Sequence, residues 1–136
     1  MISFKNILYP IDLDSENFSS LIKAIEFGQI FNSQIHILYI NDSQAGYRHP
    51  TDHEDAVALK VREIVPAELL EQAKITYAAS KGDLDAEIVK YSERNRIDLI
   101  ITGHKRRNKL YYALFDSPDE GIIEAINVPV LIIPEN

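Results

Sequence analysis

The sequence has no cysteine, and no apolar run in it approaches the roughly 18 residues that a membrane-spanning helix requires. Without cysteine, disulfides and thiolate metal sites are excluded, and the composition agrees with a reducing compartment. The N-terminal segment leads straight into a strand pattern and lacks the basic, apolar and cleavage regions of a signal peptide. We therefore expect a cytoplasmic protein.

Positive charge is also scarce, with 14 Lys and Arg against 21 Asp and Glu and a net charge of −7. Such a balance argues against nucleic acids or anionic membranes as partners, because most of the surface would repel their phosphates. Four of the cations nevertheless lie between Lys105 and Lys109. This basic loop could bind phosphate or an acidic protein partner, although a solvated loop is the commoner explanation of a charge run.

With 136 residues, the chain has the size of one domain, which we assign to residues 1–136. Apolar patterns predict strands at 4–12, 34–41, 74–80, 99–102 and 128–134, the third of them at a sheet edge. Helices are predicted after Asp14 or Ser15, over residues 54–72 with a kink or a division at Pro66, after Asp83, and after Ser117. This alternation predicts an α/β fold, a single-domain open parallel sheet with helices on both faces.

Four segments resemble the universal stress protein family, and together they extend over the whole chain. They are residues 7–12 (ILYPID), 82–83 (GD), 98–104 (DLIITGH) and 128–134 (VPVLIIP). Each segment is weak alone, but their order and spacing are fairly specific. The resemblance implies a five-stranded sheet of order 3-2-1-4-5, in which Asp12 and Gly103 face each other across the crevice where such sheets bind ligands.

The nucleotide-binding branch of that family carries Gly-x-x-Gly, nine further residues and then Gly-Ser/Thr, and this sequence keeps only part of the motif. Gly103 and Ser117 match its first and last positions, whereas Arg106 and Asp116 replace the other two glycines. Glycine lets backbone amides approach phosphate oxygens, and Asp116 adds negative charge at a helix N-terminus. The sequence therefore resembles the universal stress protein A branch, which lacks the motif and is not regarded as an ATP binder.

A retained nucleotide site would lie, by this resemblance, at the ends of strands one, two and four and in the following loop. Asp12 would contact the adenine or ribose end, although capping of a turn explains that residue equally well. We expect no required cofactor, and ATP is the ligand that a retained site would take. The implied nucleotide-binding residues are Pro10, Ile11, Asp12, Ile40, Thr102, Gly103, Lys105, Arg106 and Ser117.

The resemblance further implies a homodimer in which the closing strands of two subunits pair antiparallel. Such pairing covers a strand edge that would otherwise be exposed. The implied interface residues are Val128, Val130, Leu131, Ile132 and Ile133.

The sequence shows no catalytic constellation, since it has no Gly-x-Ser-x-Gly elbow, no P-loop and no cysteine nucleophile. His49 and His53 have a spacing that suits zinc on a helix, but Pro50 and the loop context argue against a metal site. We therefore expect a non-enzymatic, dimeric stress-response or regulatory protein with a degenerate nucleotide crevice.

Two other functions remain open at this point. The first is an ATP-binding member of the same family, with slow hydrolysis. The second is a phospho-acceptor receiver domain, which shares the alternation of strands and helices and which Asp12 and Asp14 superficially fit. Strand three, however, ends at Ser80 without an aspartate, and strand five ends at Pro134 rather than at a lysine. The receiver hypothesis is therefore the weakest of the three.

Overall fold

The computed structural model describes residues 3–13, 17–41, 54–104 and 127–135, and this part of the chain contains five strands. The sheet order is β3-β2-β1-β4-β5, and all four neighbouring pairs are parallel. Both the open parallel sheet and the order 3-2-1-4-5 are therefore confirmed. The strands are β1 (Asn6–Ile11), β2 (Gln34–Asn41), β3 (Lys74–Lys81), β4 (Leu99–His104) and β5 (Val130–Pro134).

The described residues also form four helices, α1 (Ser19–Ile30), α2 (Glu54–Ile64), α3 (Ala67–Gln72) and α4 (Leu84–Arg94). Pro66 separates α2 from α3, as predicted, because proline has no N–H for a helix interior. Asp83 occupies the predicted N-cap position of α4, but its side chain makes no capping hydrogen bond. The predicted last helix and the basic loop 105–109 lie outside the described residues.

Helix α1 begins later than the sequence predicts. Its N-cap position is Phe18 rather than Asp14 or Ser15, and the prediction of its start was wrong. The side-chain oxygen of Asn17 accepts a hydrogen bond of 2.9 Å from the Ser19 amide. A side-chain oxygen thus still binds a free amide of the first turn, but from a residue nearer the helix.

The sheet is buried on both faces, which explains why its central strands are continuously apolar. Residues 99–102 of β4 are at most 3% exposed. Ile7, Ile35 and Ile101 pack with α1 and α2 on one face, whereas Leu8, Leu38 and Ile100 pack with Ile88 of α4 on the other. Helices therefore cover both faces of the sheet, as predicted. The outer strand β3 is more exposed, in agreement with its predicted place at an edge.

At the amino ends of the strands, Asp98 fastens β1 to β4. Its carboxylate accepts hydrogen bonds from the backbone amides of Lys5 at 2.9 Å and Asn6 at 3.2 Å, and its own amide donates to the Asn6 carbonyl at 2.9 Å. Three hydrogen bonds thus fix the separation of the two strands at this edge.

Candidate functional site

The site lies at the opposite edge of the sheet, between the carboxyl ends of β1 and β4. Pairing of β1 with β2 continues to Ile11, and pairing of β4 with β5 continues to His104. In the described residues, β1 and β4 pair only at Ile7 with Leu99 and at Leu8 with Ile100. The strand order reverses at this point, so that the unpaired carboxyl halves border the crevice in which open α/β sheets bind ligands.

Gly103 lies in this crevice, and the space beside its Cα is filled by other side chains of the chain. A Cβ at this position would overlap the carboxylate of Glu135 and would lie 2.6 Å from Ser20 Oγ. A side chain at position 103 would therefore displace the Glu135 carboxylate and crowd the Ser20 hydroxyl.

Glu135 is held over Gly103 by a short chain of hydrogen bonds. Ser20 Oγ, which belongs to the first turn of α1, donates to Glu135 Oε1 at 2.7 Å. Tyr9 Oη lies 2.7 Å from the same serine oxygen. Because the serine proton points to the carboxylate, the Tyr9 hydroxyl is the donor in the second bond.

The environment keeps the Tyr9 phenol protonated. Burial raises its pKa well above the ordinary value, and the negative charges of Glu135 and Asp12 raise it further, against the opposing effect of the Ser20 hydrogen bond. Tyr9 therefore remains a hydrogen-bond donor throughout the neutral range.

The other predicted nucleotide-binding residues divide into three groups. Asp12 follows β1 at the crevice and is half-buried, and Thr102 is buried beside Gly103, with its hydroxyl 3.3 Å from the Gly103 carbonyl. Pro10, Ile11 and Ile40 are buried within their strands. Side chains alternate along a strand, so Thr102 lies on the α4 face and Gly103 on the α1 face. Outside the described residues lie Lys105, Arg106 and Ser117.

Sequence reasoning missed the three residues that build the hydrogen-bond chain, Tyr9, Ser20 and Glu135. Ser20 carried a usable signal, since it is a polar residue within the buried stripe of α1 and is 0% exposed. Tyr9 alternates with Ile7 and Ile11 and looked like an ordinary core residue. Glu135 lies 115 positions from Ser20, and nothing local in the sequence indicates that the two meet.

The predicted interface strand β5 forms one edge of the sheet. Val128 and Val130 pack toward the α4 side, and Leu131 and Ile133 toward the α1 side. Of the five predicted interface residues, Ile132 is the one that does not pack against the core, and 37% of its surface is exposed.

The described ranges, 3–13, 17–41, 54–104 and 127–135, contain neither a metal-binding cluster nor a membrane-spanning helix. They hold no group of three or more His, Cys, Asp or Glu side chains that could bind a metal ion. Nor does any helix in them combine the length and apolar character that crossing a membrane requires.

The strand order and the crevice together define a parallel α/β protein with a ligand position at the reversal of strand order. A sequence model of the universal stress protein family matches residues 3–134 of the chain. The chain belongs to the universal stress protein family. A comparison with curated proteins gave no significant match.

Solved structures of the same fold include universal stress protein UspA from Lactobacillus plantarum. The two chains are 18% identical with a TM-score of 0.63, and the match covers 98% of this chain and 99% of the other. A universal stress protein in complex with cAMP is 12% identical with a TM-score of 0.60, and 98% of each chain is covered. A universal stress protein from Archaeoglobus fulgidus is 16% identical with a TM-score of 0.67, and the match covers 98% of this chain but 45% of that one. At these identities the likeness supports the fold alone.

Proposed function

We propose that this protein is a non-enzymatic, dimeric regulatory member of the universal stress protein family, acts in the cytoplasm and has a degenerate nucleotide crevice. The crevice keeps its place at the reversal of strand order, but the chain's own groups have replaced those that would bind a triphosphate. The proposal of a dimer is supported by the position of β5 at an edge of the sheet. The proposal of a cytoplasmic location is supported by the absence of cysteine from the sequence.

The occupied space over Gly103 carries this proposal. In a phosphate-binding loop, glycine serves to let phosphate oxygens approach backbone amides. Here the same space holds the Glu135 carboxylate, an anion supplied by the chain. The sequence adds a second argument, because Arg106 and Asp116 stand where the nucleotide-binding branch has glycines.

The second candidate function is nucleotide binding, with slow hydrolysis of ATP. It is favoured by the retention of Gly103 and Asp12 at the crevice and by the structural neighbour that was solved with cAMP. In this case the nucleotide would have to displace Glu135 and would be held by Asp12, Thr102 and Gly103, with Lys105, Arg106 and Ser117 at the phosphates.

Titration with ATP and Mg²⁺, by calorimetry and by thermal unfolding, separates the two functions. We expect the wild-type protein to show no micromolar binding and no rise in melting temperature, because a ligand stabilises only in proportion to its occupancy. Restoring the motif with Arg106→Gly and Asp116→Gly together should strengthen binding beyond Asp116→Gly alone.

The control is Arg96→Gly, which removes the same side chain at an exposed position that already has a φ of 52°. It should leave nucleotide binding unchanged. A micromolar dissociation constant for the wild-type protein would overturn the proposed function and establish the second one.

A further inference from the structure

We propose that Glu135 determines which ligands the crevice accepts, by excluding phosphate and other anionic groups from the position over Gly103 while leaving uncharged ligands unaffected. The inference deepens the proposed function and rests on its assignment of the crevice as the ligand site. It assigns the charge selectivity to one side chain outside the glycine motif.

The first support is the position of the carboxylate. Glu135 Oε1 lies where a Cβ on Gly103 would project, so that the carboxylate and a phosphate cannot occupy this space together. β5 brings Glu135 here, because Pro134 pairs with His104, the residue after Gly103. In this register Ile133 is opposite Gly103, and Glu135, two residues further on, lies on the same face of the sheet as the glycine.

The second support is that the carboxylate is held in place. Ser20 is 0% exposed and Tyr9 6% exposed, and their hydroxyl groups donate in series toward Glu135. Ser20 donates to Glu135 and Tyr9 donates to Ser20, and this chain of two buried hydroxyl groups orients the carboxylate over Gly103. An incoming anion would have to break the Ser20 bond to displace Glu135.

The third support is the charge of the surroundings. Glu135 and Asp12 both act electrostatically on the Tyr9 phenol and in the same direction. Two carboxylates of the described residues therefore lie close to the Tyr9 hydroxyl at the crevice. A phosphate in this position meets like charge, whereas a neutral nucleoside does not.

The experiment compares wild-type protein with Glu135→Gln, which keeps the acceptor for Ser20 but removes the charge, and with Glu135→Ala, which removes both. The probes are ATP with Mg²⁺, cAMP and the uncharged adenosine, titrated at low ionic strength. The matched control is Glu93→Gln, the same change of charge at an exposed site near the end of α4. Superimposable circular dichroism spectra would show that the variants are folded.

We expect Glu135→Gln to bind ATP and cAMP about tenfold more tightly than wild-type protein, with the gain shrinking as salt is raised. Glu135→Ala should gain at least as much, and Glu93→Gln should gain nothing. The affinity for adenosine should be the same in wild-type protein and Glu135→Gln.

Three results would overturn the inference: equal affinity of wild-type protein and Glu135→Gln for the anionic probes, an equal gain for adenosine, or no binding by any protein. In each case the proposed function stands, provided that the wild-type protein does not bind ATP with micromolar affinity. Micromolar binding of ATP by the wild-type protein would overturn the proposed function, whatever the variants do.

Discussion

His36 is a titratable residue that is buried in this fold and fully hydrogen-bonded. It is 7% exposed, with Nε2 lying 3.1 Å from Asn6 Oδ1 and Nδ1 lying 2.8 Å from the Tyr91 hydroxyl. The amide oxygen can only accept, so Nε2 donates, and in the neutral imidazole Nδ1 then accepts from the Tyr91 hydroxyl. This arrangement suits the neutral imidazole, and burial lowers the pKa of His36.

The pH dependence of stability follows from that lowered pKa. Because the unfolded chain binds the proton more readily, the contribution of His36 is complete above the unfolded pKa of about 6.5 and is lost as the pH falls toward the folded pKa. Urea unfolding at several pH values should show the wild-type protein losing stability below about pH 6.5 relative to His36→Gln. Parallel stability curves for the two proteins would contradict the assignment.

At this scale the sequence predicted some of the site and missed the rest for a physical reason. The family resemblance placed Asp12 and Gly103 at the crevice, where the structure also has them, and their binding of a ligand stays a prediction. Glu135 and Ser20 meet only because β5 pairs with β4 in one particular register. Strand register depends on the packing of the whole sheet, and a local pattern does not contain it.

Among the elements, α1 packs against the sheet through Gly28, which lies directly over Ile35 of β2. A Cβ on Gly28 would lie 2.7 Å from Ile35 Cγ1, and Ile35 is 0% exposed. Gly28 lies on the buried stripe of α1, a position in the sequence that favours such a contact. The start of α1 was predicted wrongly, because the helix begins at Ser19 and the side chain of Asn17 accepts a hydrogen bond from the Ser19 amide.

Gly28→Ala tests that contact. Alanine favours the helix by about 1 kcal/mol, whereas overpacking against Ile35 costs about 1–3 kcal/mol. We therefore expect the free energy of unfolding, measured in urea, to fall by up to about 2 kcal/mol.

The double variant Gly28→Ala, Ile35→Val gives the control. Ile35→Val alone should cost about 0.5–1.5 kcal/mol, but it removes the Cδ1 atom that the new methyl group would meet. The two changes together should cost less than the sum of the single changes. Simple additivity would show that the helix and sheet move apart to accommodate alanine.

For the whole molecule, the strand order was predictable because a family resemblance supplied it, while the alternating pattern supplied only the parallel α/β class. The dimer stays a prediction. Ile132 is the exposed apolar residue on the edge strand β5 and is therefore the position where pairing between two copies can be tested.

Ile132→Lys should convert a dimer into a monomer, because a charged side chain on an edge strand opposes pairing with another strand. Size-exclusion chromatography with light scattering would measure the mass. The control is Ile30→Lys, the same change at an apolar residue that is 78% exposed at the end of α1. A wild-type monomer, or a dimer that persists in Ile132→Lys, would refute an interface through β5.

The three hydrogen bonds of Asp98 make the middle of the sheet fixed at one end and open at the other. The amino ends of β1 and β4 are clamped together at Asp98, and their pairing stops after Leu8 and Ile100. Any change of spacing between the two halves of the sheet is therefore concentrated at the carboxyl ends, beside Gly103. A group inserted or removed there would change the separation of β1 and β4 at their carboxyl ends. Because β5 pairs with β4 as far as His104, β5 would transmit that change to the edge of the sheet.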